Sequence, residues 1–190
     1  LVAGRPLKAA RVAEVLGDLR SMVDALLRGA QRAKEIVQAT RIHLRNASGP
    51  PEPLLLTPVL DAVLMLFADL RHHGVLIERD HEEGLQVLAV RGDLAQLLSG
   101  WLARVTPRLR QAAQRPGSAV RLTVRTRRAP PDEDPDKAGP ALVELSISDN
   151  GPPLSDLSAP AEHNLAARLA ARIQITSGEQ TVLLLHLPRP

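Results

Sequence analysis

Residues 142–153 read Leu-Val-Glu-Leu-Ser-Ile-Ser-Asp-Asn-Gly-Pro-Pro, and this stretch decides how the rest of the chain is interpreted. Its apolar residues Val143, Leu145 and Ile147 alternate with polar ones, which is the period of a strand with one buried face. The strand runs into the acid Asp149 and then Gly151. An acid at a strand end, beside a glycine that lets the backbone approach a ligand, is one way to build a pocket. The same residues are strong turn formers, so a pocket and a plain turn both stay open.

The composition restricts the kinds of partner that the chain can bind. Of its 190 residues 44% are hydrophobic, enough for a core, but Phe67 and Trp101 are the only aromatic ones. Single-stranded nucleic acid is usually bound by stacking bases on aromatic rings, so this class of function is disfavoured. The formal net charge is only +3, and the absence of cysteine excludes disulfides and thiolate metal sites.

Nothing in the sequence indicates a membrane segment. No apolar run reaches the length of a membrane span and no signal peptide is visible, so we expect a cytoplasmic chain without membrane contact. Because the chain begins with Leu1 rather than Met, we expect it to be a piece of a longer protein.

Residues 7–46 carry a heptad pattern, in which apolar residues are spaced alternately four and three apart. A helix of this kind cannot stand alone, because its apolar face needs a partner. Packing against its own domain and pairing with a second copy both satisfy that need, and we expect a homodimerisation stem over residues 1–48. The predicted dimer contacts are Leu16, Leu19, Val23, Leu26, Ala30, Ala33 and Val37.

A proline-rich linker over residues 46–53 precedes a second helix, for which Thr57 is the predicted N-cap and Gly74 the stop signal. Two strands, 75–80 and 85–90, are predicted to form a hairpin. The four residues at its tip carry groups that could bind a metal, but we expect a solvated charged turn because nothing fixes a ligand geometry. These residues are Asp80, His81, Glu82 and Glu83.

A third helix is predicted to begin at Asp93 as N-cap, and Pro107 should kink or end it. Its basic run is predicted to be a solvated face; it consists of Arg104, Arg108, Arg110 and Arg115. The remaining predicted elements are a strand at 119–127, a mobile acidic loop at 130–140, an irregular segment at 154–162, a helix at 164–173 and a strand at 181–187. Helices mixed with an antiparallel-rich sheet indicate a two-layer α/β sandwich.

This order of elements, with its short motifs, resembles the C-terminal half of a bacterial sensor histidine kinase over residues 19–188. Residues 29–37 resemble the second helix of the dimerisation and phosphotransfer domain, and 56–60 the start of the ATP-binding domain. Gly92-Asp93, Ser148-Asp149-Asn150-Gly151 and the ending Leu185-His186-Leu187-Pro188 resemble later blocks. The resemblance implies an α+β fold: a two-layer sandwich of the histidine-kinase ATPase type over residues 54–190, with a mixed, mostly antiparallel sheet and helices on one face.

The sequence departs from the family where phosphates and magnesium are bound. The family's magnesium-binding Asn positions fall at Ala103 and Pro107, its second glycine after the Asp falls at Pro153, and its last glycine-rich box falls near 164–167, where no glycine remains. Glycines let backbone N–H groups reach phosphate oxygens, and magnesium needs hard oxygen ligands. Only Asp149 and Gly151 remain as candidate cofactor-binding residues, and the resemblance implies that this Asp binds the adenine amino group.

We therefore expect a dimeric signalling module with a degenerate ATP site that acts by protein contact, with a response regulator or another signalling protein as partner. Binding of ATP and magnesium is left open, and no catalytic or metal-binding residue is assigned. An alternative is an active, divergent kinase that phosphorylates a histidine in an upstream helix. Its own His43 lies near the far end of the second helix, and His72, His73 and His163 have no partnering base. A nucleic-acid adaptor is disfavoured by the small charge; its basic residues would be Arg121, Arg125, Arg127 and Arg128.

Overall fold

The computed structural model describes residues 11, 15–23, 26, 29, 49–130 and 142–190. The chain divides into two compact units, Leu1–Thr40 and Arg41–Pro190. Every described residue of the first unit is helical, as the heptad pattern predicts, and this helix is called α1. Of the predicted dimer contacts, Leu16, Leu19, Val23 and Leu26 are exposed on α1. Ala30, Ala33 and Val37 lie outside the described residues, as does most of the predicted loop at 130–140.

The second unit is built on a five-stranded sheet with the strand order β2-β4-β5-β7-β6. Its strands are β2 (Leu76–His81), β4 (Arg121–Arg128), β5 (Leu142–Asp149), β6 (Arg172–Ser177) and β7 (Thr181–Pro188). Only the β2–β4 pair is parallel, and the other three pairs are antiparallel. The central strand β5 is the one that the alternating pattern predicts.

Helices cover one face of this sheet. They are α2 (Leu56–Leu66), a short 3-10 helix (Ala68–His73), α3 (Arg91–Ala113) and α4 (Pro160–Arg168). Alternate residues of β4 and β5, such as Leu122 and Leu145, join Trp101 of α3 in one apolar core. Arg121 and Arg125 on the other face of β4 are exposed. Burial of this apolar surface is the main force that holds the two layers together.

The predicted hairpin of residues 75–90 is wrong. Strand β2 pairs with β4 in the large sheet, whereas β3 (Gln86–Ala89) pairs with β1 (Glu52–Leu55) in a separate antiparallel ribbon. The segment 46–53 was predicted as a linker because of its prolines, but Pro53 lies in β1, whose only partner among the described residues is β3. Proline is tolerated in such an edge strand, because its missing N–H need not serve a second neighbour.

Several predicted helix ends are also wrong. Helix α2 is capped by Leu55 and not by Thr57, and it ends at Leu66. The 3-10 helix continues to Gly74, which takes the left-handed conformation with φ 84°, so the predicted stop at this glycine is confirmed. Asp93 lies inside the first turn of α3 and makes no capping bond.

The second half of the chain departs from the prediction at two further points. Helix α3 runs through Pro107 to Ala113 without ending at the proline. The last helix is α4 at Pro160–Arg168 rather than 164–173, because Ala170 with φ 50° turns the chain into β6. The strand β6 is absent from the prediction.

Candidate functional site

Asp149 is the last residue of β5, and its side chain lies on the sheet face that the helices cover. It stands opposite Leu122 of β4 and opposite Thr181 of β7, both of which are buried. Asp149 itself is only 4% exposed. The Gly151 N–H donates to Asp149 Oδ1 at 2.9 Å. The stretch from 149 to 151 therefore forms a turn closed by the carboxylate of its own first residue.

Gly151 packs directly against α3. A Cβ at this position would lie 2.7 Å from Leu109 Cδ2 and 2.9 Å from Arg108 Nη1. Both distances are shorter than a Cβ accepts, so a larger residue here would force the Leu109 and Arg108 side chains to shift. The structure thus confirms the turn at this stretch, whereas the pocket stays a prediction.

The carboxylate of Asp149 already has a cationic partner. Arg108 Nη2 donates to Asp149 Oδ2, and Nη1 of the same guanidinium donates to the carbonyl oxygen of Pro152 at 2.5 Å. The Arg108 side chain is only 13% exposed. Burial raises the pKa of Asp149, and the charge of Arg108 and the two hydrogen bonds offset this only in part.

Arg104, one turn earlier on α3, binds the segment that follows the turn. This segment, residues 152–159, is called the connector because it joins Gly151 to α4. The Arg104 guanidinium donates to the carbonyl oxygens of Asp156 and Ser158 and lies 3.5 Å from Asp156 Oδ2. It also lies 4.0 Å from the buried Glu162 of α4.

The prediction of a solvated basic face on α3 is therefore wrong for three of its four arginines. Arg104 and Arg108 bind the connector and the turn, and Arg110 forms an ion pair with Asp69. Arg115 is exposed, as predicted.

Two hydroxyl residues complete the surroundings of Asp149, and the sequence analysis missed both. Ser177 Oγ and Thr181 Oγ1 are 3.0 Å apart, and Ser177 Oγ accepts a hydrogen bond from Leu154 N of the connector at 2.9 Å. Pairing of β6 and β7 places Ser177 opposite Thr181. A correct register for the last two strands would have placed them beside the end of β5.

The positions that resemble the family's magnesium-binding Asn residues have no side chain that could bind a metal ion. Ala103 and Pro107 are exposed on α3. Each directly precedes an arginine that contacts the connector. Pro153 is exposed in the connector, and 164–167 lie within α4. Among the described residues, no group of three or more His, Asp or Glu side chains is placed to hold a metal ion.

The arginines proposed for nucleic-acid binding are all engaged in ion pairs. Arg121, Arg125 and Arg127 lie on the open face of the sheet, and Arg128 is the last residue of β4. Arg121 and Arg125 pair with Glu78 and Asp80 of β2, at 3.2 and 2.7 Å. The two further pairs, at 2.6 and 2.9 Å, join Arg127 to Glu144 and Arg128 to Glu82. A phosphate backbone would have to displace four carboxylates, so the stripe is not a free cationic surface.

Three of the four histidines considered above, His72, His73 and His163, are exposed. His72 and His73 are exposed at the end of the 3-10 helix, and His163 Nδ1 lies 2.8 Å from the carbonyl oxygen of Ala159. His43 lies outside the described residues.

No helix in the part of the chain that the structure describes is long and apolar enough to cross a membrane.

Comparison with known proteins connects this architecture with solved structures. No family model and no curated protein matches the sequence. The histidine kinase AdeS of Acinetobacter baumannii is 16% identical, with a TM-score of 0.56 over 98% of this chain and 87% of that chain.

Two further structures are similar. The catalytic domain of the histidine kinase ThkA is 14% identical, with a TM-score of 0.54 over 74% of this chain and 97% of that chain. The histidine kinase domain of the Erythrobacter litoralis EL346 blue-light-activated histidine kinase is 14% identical, with a TM-score of 0.53 over 91% and 87% of the two chains. The chain has the fold of histidine kinase catalytic domains, and the predicted fold class is confirmed.

Proposed function

We propose that the chain is a histidine-kinase-like signalling module of the two-component type, in which the sandwich acts as a dimeric scaffold or regulatory domain and Mg-ATP chemistry is lost. The observation that carries this proposal is the ion pair between Arg108 and Asp149. The residue that the resemblance assigns to the adenine amino group is buried and bound by a cation of the same chain.

The phosphate side of the site supports the same proposal. Phosphoryl transfer depends on positioning and on neutralising the phosphate charge, usually by magnesium held through oxygen ligands. Ala103 and Pro107 offer no side-chain oxygen. The neighbouring Arg104 and Arg108 could neutralise a phosphate, but both guanidiniums already contact the connector, and that of Arg108 also pairs with Asp149.

A second candidate function, a divergent but active kinase, is favoured by one observation. The turn from Asp149 to Gly151 keeps a close-packed geometry, and the hydroxyls of Ser177 and Thr181 lie nearby. If Arg108 moved away, Asp149 Oδ2 would be free to accept a hydrogen bond from an amino group.

Calorimetric titration with ATP and ADP, with and without magnesium, tests the proposal. We expect no binding by the wild type at nucleotide concentrations of about 1 mM, which corresponds to a binding free energy weaker than about −4 kcal/mol. Asp149→Ala is the specific control, and Asp156→Ala, which removes an exposed carboxylate of the connector, is the matched one. Tight, magnesium-dependent binding that only Asp149→Ala removes would contradict the loss of Mg-ATP chemistry.

Catalysis is tested separately, with a longer chain that includes a phosphoacceptor helix. The proposal predicts no phosphohistidine after incubation with Mg-ATP. Phosphorylation that requires Asp149 would instead establish the second candidate function.

A further inference from the structure

We propose that Arg104 and Arg108 form a latch, in which the two guanidiniums hold the connector against α3 and Arg108 takes the place of a ligand on the Asp149 carboxylate. The latch closes the site from inside the protein. This inference rests on the proposed function only in taking Asp149 as the residue that faces a ligand.

The two arginines are placed to act together. They are four residues apart on α3, so they project from the same side of the helix, one turn apart. Arg108 binds the beginning of the connector through the Pro152 carbonyl, and Arg104 binds its end through the Ser158 carbonyl. Hydrogen bonds from a charged donor are stronger than neutral ones, so two such contacts suffice to fix a short segment.

The connector has few other contacts that could hold it. Leu154 packs on the core, and its N–H donates to Ser177 Oγ. Within the segment Ser158 N donates to Asp156 Oδ1 at 2.7 Å, and at its end the carbonyl of the buried Ala159 accepts from His163 N at 2.9 Å. Its residues 155–158 are exposed, including Leu157 with 41% of its surface accessible. Loss of the arginine contacts should therefore free this segment without unfolding the sandwich.

The latch also determines what an opened site would bind. Without Arg108, the Asp149 carboxylate can accept a hydrogen bond from the amino group of a purine such as adenosine. The phosphate side would still have neither the magnesium ligands nor the glycines that an ordinary nucleotide site uses. The opened site should therefore bind adenosine and ATP with similar affinity, independently of magnesium.

Hydrogen exchange of the whole chain tests the latch directly. In Arg104→Gln and Arg108→Gln, we expect the two hydrogen-bonded amides of the connector, those of Leu154 and Ser158, to exchange at least about tenfold faster, while the amides of β5 and β7 are unchanged. The matched control is Arg110→Gln, which removes an arginine of the same helix that pairs with Asp69 and not with the connector. If all three variants exchange alike in the connector, the latch does not exist.

Adenosine binding, measured in EDTA, tests whether the latch excludes a ligand. We expect the Arg108→Gln variant to bind adenosine at least about tenfold more tightly than the wild type, because the carboxylate is released. Asp149→Asn in the Arg108→Gln background should remove this binding. Equal binding of adenosine by the wild type and Arg108→Gln, or its absence in both, would overturn the gating role.

These outcomes are distinguishable from failure of the proposed function. Tight magnesium-dependent ATP binding by the wild type would refute the loss of Mg-ATP chemistry. Hydrogen exchange of the connector amides and the adenosine affinities test the latch. If Arg108→Gln is too unstable to study, Arg104→Gln gives the exchange test with the Asp149 ion pair still in place.

Discussion

Gly151 is where the turn meets helix α3, and its lack of a side chain sets the distance between them. In Gly151→Ala, the added methyl would clash with Leu109 and Arg108. We expect a loss of about 1–3 kcal/mol in the free energy of unfolding, because overpacking forces neighbouring side chains to shift. Denaturant unfolding followed by the fluorescence of Trp101, the single tryptophan, measures it.

Gly178→Ala is the matched control for this substitution. Gly178 is exposed, and no atom lies within 4 Å of an added Cβ. Its effect should stay within about 0.5 kcal/mol, as for an ordinary surface position. Equal effects at the two glycines would mean that the close approach of the turn to α3 carries no stability.

Asp149 should make stability depend on pH in a direction unusual for a carboxylate. Its pKa is raised in the folded state, mainly by burial. The folded state therefore binds the proton more tightly than the unfolded state, and the free energy of unfolding falls as pH rises from the ordinary value of 3.8 through the raised pKa. Asp149→Asn should remove this fall.

Arg108→Gln should change the pH dependence of stability in the direction opposite to Asp149→Asn. Because the charge and hydrogen bond of Arg108 lower the pKa of Asp149, their removal should raise that pKa further and deepen the loss of stability with rising pH. Unfolding free energies measured across the acidic range for the three proteins decide this. Identical pH profiles for the wild type and Asp149→Asn would contradict it.

Asp149 and Gly151 could be singled out as candidate residues because they lie at the end of an alternating strand. Arg108 could not, since its partner is 41 residues away along the chain. Its spacing on α3 places it beside the apolar stripe, where a long side chain can reach either solvent or the core edge. Sequence periodicity cannot distinguish these two directions.

At the scale of elements, α3 is the helix on which the site depends, and Pro107 is its weakest point. Proline removes one backbone hydrogen bond, which would join residue 107 to the carbonyl of Ala103, and crowds the preceding turn. Since Pro107 is exposed within the helix, Pro107→Ala should stabilise the chain by about 1–3 kcal/mol. Thermal or denaturant unfolding of the full chain measures the gain.

Pro116→Ala is the matched control. Pro116 lies in the exposed turn that follows α3, where alanine gains no helical hydrogen bond and gives the unfolded chain more freedom. We expect a loss of up to about 1 kcal/mol. Destabilisation by Pro107→Ala would show that neighbouring residues are packed around the proline.

The elements that could be predicted are those with local signals. Strands β4 and β5 each alternate over several residues, β7 contains a short apolar run, and Gly74 ends the 3-10 helix by its backbone conformation. The pairing of β2 with β4 could not be predicted, because it joins segments about 45 residues apart while the shorter link to β3 satisfied the hairpin pattern just as well. Strand β6 could not be predicted, because no proline or glycine separates it from the Ala- and Arg-rich helix that precedes it.

At the scale of the whole molecule, the exposed apolar residues of α1 remain to be explained. Val15, Leu16, Leu19, Met22, Val23 and Leu26 are each between 49% and 70% exposed. A helix with so much apolar surface is stable in water only when that surface is covered, and the heptad spacing favours a second copy of the same helix.

We predict that the chain is a dimer in sedimentation velocity experiments and that Leu19→Glu with Val23→Glu converts it to a monomer, because the two buried charges would have to be desolvated. Arg20→Glu, which adds a glutamate between these heptad positions, is the matched control and should leave the dimer intact. The unfolding of the sandwich, followed at Trp101, should be the same in all three proteins, since Trp101 lies in the core of the second unit. A monomeric wild type, or a dimeric double variant, would show that α1 is covered in some other way and would remove the dimer from the proposed function.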